Sequence, residues 1–205
     1  GVGLFGLEGA QAVNSADYAL AQFRFLRELL LVHGRWNYRR VALCVYYIFY
    51  KAALMVTPQF YFAFACAFSG QNFYYEWTYQ VFNPLLTSCV VIAAAVLDQD
   101  VSRADALKRP ELFFDGLERK YHSHAWFWKW MGEGFAHGAI CYAVPLGALG
   151  AGVGLSSGEA LGLFALGEYV MACVVFVAHV RVLFECANIT ALHVFFVVGH
   201  LVMYW

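Results

Sequence analysis

Charge is what this chain has least of. Only 13% of its 205 residues are Asp, Glu, Lys or Arg, and the formal net charge is −1. No basic domain is present to hold nucleic acid, so that class of partner is excluded. None of the six cysteines (Cys44, Cys66, Cys89, Cys141, Cys173 and Cys186) forms a CxxC pair. All lie in or at the ends of apolar runs, where a free thiol behaves as a small hydrophobe; neither a disulfide framework nor a zinc site is expected. The seven histidines make no HxxxH, HxxH or HExxH spacing, leaving His122 and His124, in one connection, as a weak metal candidate; no metal is expected. There is no repeat, no low-complexity tract and no charged n-region followed by a cleavage site, so no signal peptide is read. Because the chain opens on Gly1, it is expected to be a piece of a longer protein.

What is abundant is apolar surface. Hydrophobic residues make up 62% of the chain and aromatics 19%, with a mean hydropathy of +0.59. These values place it among membrane proteins, and the Trp and Tyr suit interfacial belts. Five apolar spans follow a polar opening: residues 41–68, about 77–97, 126–149, about 161–184 and 191–205. Their apolar character is continuous rather than periodic, which favours lipid-embedded helices over amphipathic surface ones.

The few cations fix the expected topology. Arg24, Arg27, Arg35, Arg39 and Arg40 precede the first span, and Arg103, Lys108, Arg109, Arg119 and Lys120 lie in the second connection. Lys129 and Arg181 sit near span ends facing the same side. The connections 69–76 and 150–160 hold no Lys or Arg. Under the positive-inside rule the N-terminus and the connection 98–125 are cytosolic.

Lys51 is the exception. It lies ten residues inside the first span, about 15 Å deep at the helical rise and so near the midplane. A lysine there costs roughly 2.5–3.5 kcal/mol on insertion scales. Two readings stand: a transport-path residue, or a lysine paired with a buried carboxylate for packing alone. Snorkelling is disfavoured by the distance to the nearer interface. The second span runs the other way, and a count from Trp77 puts Thr87 and Ser88 at the same depth. Asn83 lies one turn further out on the Thr87 face. Together Lys51, Asn83, Thr87 and Ser88 would make a polar groove suited to a phosphate-bearing headgroup; Asn, Thr and Ser serving only as interhelical glue is the competing reading. Elsewhere Lys129, Glu133 and His137 share a face, and a Lys129–Glu133 pair is expected. Glu168, His179, His193 and His200 are further polar groups inside spans. Asp98 and Asp100 end the second span, either as solvated acids or as part of a docking connection.

In the opening segment Gly1, Gly3, Gly6 and Gly9 are expected to form a loop. Residues 14–34 read as a helix capped by Ser15 or Asp17, with Gly34 at its C-terminal end. "GVGLFG" does not complete a dinucleotide pattern, since no strand is read before it.

Several stretches resemble one family. "GLEGAQAVNSADYALAQFRFLRELLLVHGRWNYRR" is similar to the end of the phosphorylation domain in the lipid-flipping, type IV branch of P-type ATPases. "YYIFYKAAL" resembles that branch's fifth transmembrane helix, with Lys51 at its membrane lysine. "FSGQNFYYEW", "FNPLLTS" and "LDQDV" resemble the following outer loop, the sixth helix and its cytosolic exit. "FWKWMGEGFAHG" and "ITALHVFFVVGHLVMYW" resemble the start of the seventh helix and the ninth. Ala52 stands where the family often has Asn, and Cys89–Val90 where it usually has Leu-Pro, which predicts a sixth helix less kinked at that point. The D-K-T-G-T and G-D-G-x-N-D motifs are absent from this chain.

The resemblance implies an all-α polytopic membrane protein of about five transmembrane helices, with a short N-terminal remnant of the α/β phosphorylation domain. Residues 1–40 would end that domain and link to the stalk helix, read over 35–68; residues 41–205 would be a truncated C-terminal transmembrane domain. The implied enzyme is an ATP-driven phospholipid translocase working from the outer to the cytosolic leaflet. The path residues would be Lys51, Asn83, Thr87 and Ser88, with no catalytic residue in this chain. ATP and Mg²⁺ would be bound by parts absent from it, so the chain alone is expected to be inactive. Implied partners are the phospholipid, the rest of the ATPase chain and an accessory membrane subunit of the Cdc50 type. Implied locations are the plasma membrane, Golgi or endosome. A small self-standing ion or solute transporter and a non-catalytic membrane scaffold are the other classes.

The loop charges generate a direct test. Single cysteines placed at Gln71 and Ser157 should react with an impermeant thiol reagent in sealed right-side-out vesicles. Protection of both would overturn the topology.

Overall fold

The structure is a computed structural model and describes residues 1–6, 10–149 and 162–204. Helices α1 (Ala10–Ser15), α2 (Phe25–Glu28), α3 (Arg35–Ala65), α4 (Glu76–Val81), α5 (Ser88–Leu97), α6 (Arg103–Lys108), α7 (Phe114–Leu117), α8 (His124–Leu149), α9 (Leu163–Glu185) and α10 (Ala191–Tyr204) dominate it, with strands β1 (Val2–Leu4) and β2 (Tyr18–Leu20) near the start. Each of the five apolar spans is helical. By length and composition, three helices among the described residues can cross a membrane: Phe25–Ala65, Glu76–Leu97 and Leu163–Glu185. Helix α10 is apolar but shorter.

The chain divides into two compact units. The first comprises residues 1–39 and 99–121. Here the opening differs from expectation. β1 pairs in parallel with β2, Val2 opposite Tyr18 and Leu4 opposite Leu20. The glycine-rich start is therefore a strand rather than a loop, and Tyr18–Leu20 is not helical. Three-residue strands carry too little alternation to show in a sequence; pairing supplies the hydrogen bonds their backbones need. Nor does Gly34 end a helix. Leu29–Gly34 forms a wider π-type turn that runs on into α3, with Arg35 itself helical at φ −62° and ψ −51°.

An arginine organises the rest of this unit. Arg35 binds Asp100 at 2.7 Å and Asp115 at 2.9 Å, and donates to the Leu112 carbonyl at 2.6 Å. Arg39 adds a second contact to Asp100 at 3.3 Å. Trp36 donates to the Val101 carbonyl at 3.0 Å. The Arg35 guanidinium, bonded to the Asp115 carboxylate, holds that carboxyl below its ordinary range. Asp100 is thus an ion-paired group, not a solvated acid.

The second unit comprises residues 40–98 and 122–205; the basic-free connection 150–160 lies outside the described residues. Its centre is α3, whose buried face carries Tyr46, Tyr47, Tyr50, Lys51, Leu54 and Met55. Tyr47 donates to the Ala178 carbonyl of α9 at 3.3 Å, and Tyr50 bonds His137 of α8 at 2.7 Å. Exposed Ile48, Phe49, Ile92, Val96, Ile140 and Val144 supply the outward apolar surface that lipid requires.

Close helix packing rests on small residues. A Cβ on Gly138 would stand 2.6 Å from the Thr57 Cβ and 2.9 Å from the Leu54 carbonyl oxygen. Pro58 has no N–H to give that carbonyl, so α8 approaches α3 at the break in its ladder. Gly134, four residues earlier, has a similar fit, 2.9 Å from the Tyr50 oxygen. The pair is a small-xxx-small seam legible in "GFAHG". Gly167 is tighter still: its Cβ would lie 2.1 Å from the Phe73 oxygen.

Gly138→Leu should therefore destabilise the protein by about 1–3 kcal/mol through overpacking. Gly132→Leu, which meets open space, should be neutral. Midpoints of thermal unfolding in detergent, read by size-exclusion recovery, compare the two; equal midpoints would contradict the seam.

Candidate functional site

The second apolar span is two helices, not one. Between α4 and α5 the backbone widens into a π-type turn over Phe82–Leu86, and Thr87 leaves helical geometry at φ −134°, ψ −13°. Pro84 explains the fault: it has no N–H for the Gln80 carbonyl, and its ring crowds that turn. The expectation of less kinking concerned Cys89–Val90, and those residues lie within the regular helix α5. The break falls elsewhere, three residues after Pro84.

The break positions Thr87. Its hydroxyl donates to the Phe82 carbonyl at 2.9 Å, taking up a carbonyl at the fault. Its lone pairs then accept from Lys51, whose Nζ lies 3.0 Å away. Thr87 is fully buried and Lys51 is only 6% exposed. Depth counting put these two residues on one level, and the fold places them in direct contact. The other two candidates point elsewhere. Asn83 is exposed, and the Ser88 hydroxyl turns back to the Pro84 carbonyl of its own segment.

Among the described residues no carboxylate pairs with Lys51; Thr87 is its hydrogen-bond partner and the Tyr47 ring lies 5.9 Å from its ammonium. An ammonium carries three donors, so this one retains capacity for an anionic ligand. Met55 and Gln59, one and two turns further along α3, line a cavity of about 510 Å³ with Asn72, Tyr74, Glu76 and Gln80.

The remaining polar groups of this unit hold helices together. Glu133 pairs with Arg181 of α9 at 2.7 Å, whereas Lys129 stands 4.0 Å from it. The expected Lys129 pair is therefore the weaker of the two, because the partner from α9 comes closer. Arg181 also lies over the Trp130 ring at 4.2 Å. Glu168 accepts from Thr78 of α4 at 2.9 Å and from Tyr204 of α10 at 2.7 Å. His179 contacts His200 at 2.9 Å, and His193 contacts the Thr190 hydroxyl at 2.8 Å. Asp98 is buried and accepts from the Asn188 N–H at 2.9 Å. Except for the local Lys129–Glu133 and Thr190–His193 contacts, these partnerships join distant parts of the chain and had no signal in the sequence. Among the described residues no three His, Cys, Asp or Glu side chains converge on a possible metal position.

The second unit is thus a set of apolar helices with a buried lysine beside a broken helix, and no carboxylate among the described residues pairs with that lysine. Residues 13–205 match the family model described as phospholipid-translocating P-type ATPase C-terminal, and the chain belongs to that family. It is similar to "Probable phospholipid-transporting ATPase 4" of Arabidopsis thaliana, 35% identical over 93% of this chain and 16% of the relative. It is 42% identical to "Phospholipid-transporting ATPase DRS2" of Saccharomyces cerevisiae over 69% of this chain and 10% of the relative. With "Phospholipid-transporting ATPase VD" of Mus musculus the identity is 33% over 100% of this chain and 14% of the relative. The chain thus spans no more than 16% of the length of these curated relatives.

Proposed function

We propose that this chain supplies the membrane lipid path of an ATP-driven phospholipid translocase, which moves phospholipid from the outer to the cytosolic leaflet. The observation that carries the reading is the Lys51–Thr87 contact. A buried ammonium without a carboxylate is costly unless it serves a ligand, and a headgroup phosphate is the anion such a family handles. Thr87 orients the ammonium, and the free donors of Lys51 meet the phosphate. Asn83 and Ser88, not oriented toward Lys51, lie further along the path and contact the headgroup at other stages. In this reading residues 1–40 close the phosphorylation domain, and 41–205 cross the membrane about five times from a cytosolic N-terminus.

The fault at Thr87 suits alternating access, since a broken helix can change the angle between its halves without breaking a regular ladder. ATP and Mg²⁺ act through parts of the ATPase outside this chain, which alone does not turn over ATP. An accessory subunit of the Cdc50 type completes the assembly.

The test uses the full-length protein. Lys51→Ala should raise the phospholipid concentration needed to stimulate dephosphorylation by very roughly one to two decades, the equivalent of a lost charge-assisted contact of about 1.5–3 kcal/mol. Phosphorylation from ATP should persist. Lys51→Arg should restore the response only in part, because a planar fork fits a compact site differently. An unchanged lipid dependence in folded Lys51→Ala protein would return the lysine to a packing role.

A further inference from the structure

The cavity beyond Lys51 has its own chemistry. Its walls are the α3 face at Met55, Val56 and Gln59, the turn at Asn72 and Tyr74, and the start of α4 at Glu76, Tyr79 and Gln80. Gln59 is held in place at both ends of its amide: its nitrogen donates to the Gln71 carbonyl at 3.1 Å, and its oxygen accepts from the Phe73 N–H at 2.9 Å. That brace fixes the turn against α3 and gives the cavity a built wall. Tyr74 is likewise anchored, donating to the Met55 carbonyl at 3.2 Å.

Glu76 is the one ionisable acid or base with a formal charge in this lining. No cation pairs with it among the described residues, and its side-chain contact is a long 3.5 Å approach from the Gln80 amide. The cavity therefore presents a single negative charge among amides and tyrosine rings. Lys51 presents a single positive charge one turn inward from Met55. Chemistry of this kind fits a positively charged nitrogen, which a carboxylate and aromatic faces both attract. Phosphate alone would be repelled.

We propose that Glu76 is a specificity-determining residue. It receives the cationic nitrogen of a phospholipid headgroup in the outer cavity, before the phosphate reaches Lys51. The inference rests on the phospholipid-path reading above. Along α3, Lys51 lies four residues, about 6 Å at the helical rise, before Met55 in the cavity wall. Lys51 is not part of the cavity lining that holds Glu76, so the two charges act in sequence: Glu76 sorts, and Lys51 takes over. Headgroups without nitrogen lose the first contact but keep the second.

The experiment measures lipid-stimulated dephosphorylation of the full-length ATPase. Phosphatidylcholine, phosphatidylethanolamine and phosphatidylserine form one set of probes; phosphatidylglycerol, phosphatidylinositol and phosphatidic acid form the other. Wild type should respond at lower concentrations of the first set. Glu76→Gln should raise the half-maximal concentration for that set by about fivefold, as expected for an exposed ion pair at the strong end of its range, and should leave the second set unchanged. Glu76→Asp should retain the preference. Lys51→Ala should weaken both sets alike. Equal effects of Glu76→Gln on both sets, no effect on either, or a wild-type preference for the second set would each overturn the assignment to Glu76. A wild-type enzyme that phosphorylates from ATP and responds to no phospholipid would instead refute the lipid-path reading, and this inference with it.

Discussion

One buried ammonium sets the terms for the membrane unit. Lys51 sits in the middle of α3, almost closed off from solvent, and a charge at that depth demands partners. The fold gives it a hydroxyl, and to do so it breaks a neighbouring helix. Pro84 opens the turn, the Thr87 hydroxyl binds the Phe82 carbonyl at the fault, and the same oxygen accepts from Lys51 at 3.0 Å. Remove the break and Thr87 would follow regular helix geometry; remove the lysine and the fault would lose its charged partner. The two features explain each other better than either explains itself. The absence of a neutralising carboxylate among the described residues is what turns this packing arrangement into a candidate binding site.

Around that centre the unit is made rigid by specific ties. Tyr47 and Tyr50 link α3 to α9 and α8, and Arg181 joins α9 to Glu133 of α8. Glu168 receives hydroxyls from α4 and α10. Glycines at 134, 138 and 167 allow backbones to approach where any side chain would collide. In lipid, where apolar contact gives helices little reason to associate, such packing and hydrogen bonding carry the assembly. The first unit uses a different solution: Arg35 draws the acids of residues 99–121 together in an ion network, as suits a region read as cytosolic.

The sequence made the long helices legible because composition alone declares them. Depth counting from span ends also paired Lys51 with Thr87, since both helical rise and bilayer thickness are fixed quantities. Three things escaped it. The parallel pair of Val2–Leu4 and Tyr18–Leu20 is too short for a periodic signal. The break at Thr87 comes from Pro84, which was not read as a fault. Long-range polar pairs such as His179–His200 and Asp98–Asn188 depend on tertiary contacts that no local pattern encodes. The Gly134–Gly138 spacing was present in the sequence and readable as a seam, but it required a partner helix, and Pro58 on α3 supplies the matching irregularity.

The central claim is that phospholipid reaches the Lys51–Thr87 contact. Photocrosslinking tests it most directly. A phospholipid with a photoreactive group beside its phosphate would be activated on the full-length protein in its lipid-accepting phosphoenzyme state, and adducts mapped by mass spectrometry. The account predicts adducts within residues 51–59 and 82–88 that disappear when unlabelled transported lipid is added. Adducts confined to outward apolar positions such as Ile92 and Ile140, and insensitive to competition, would contradict it.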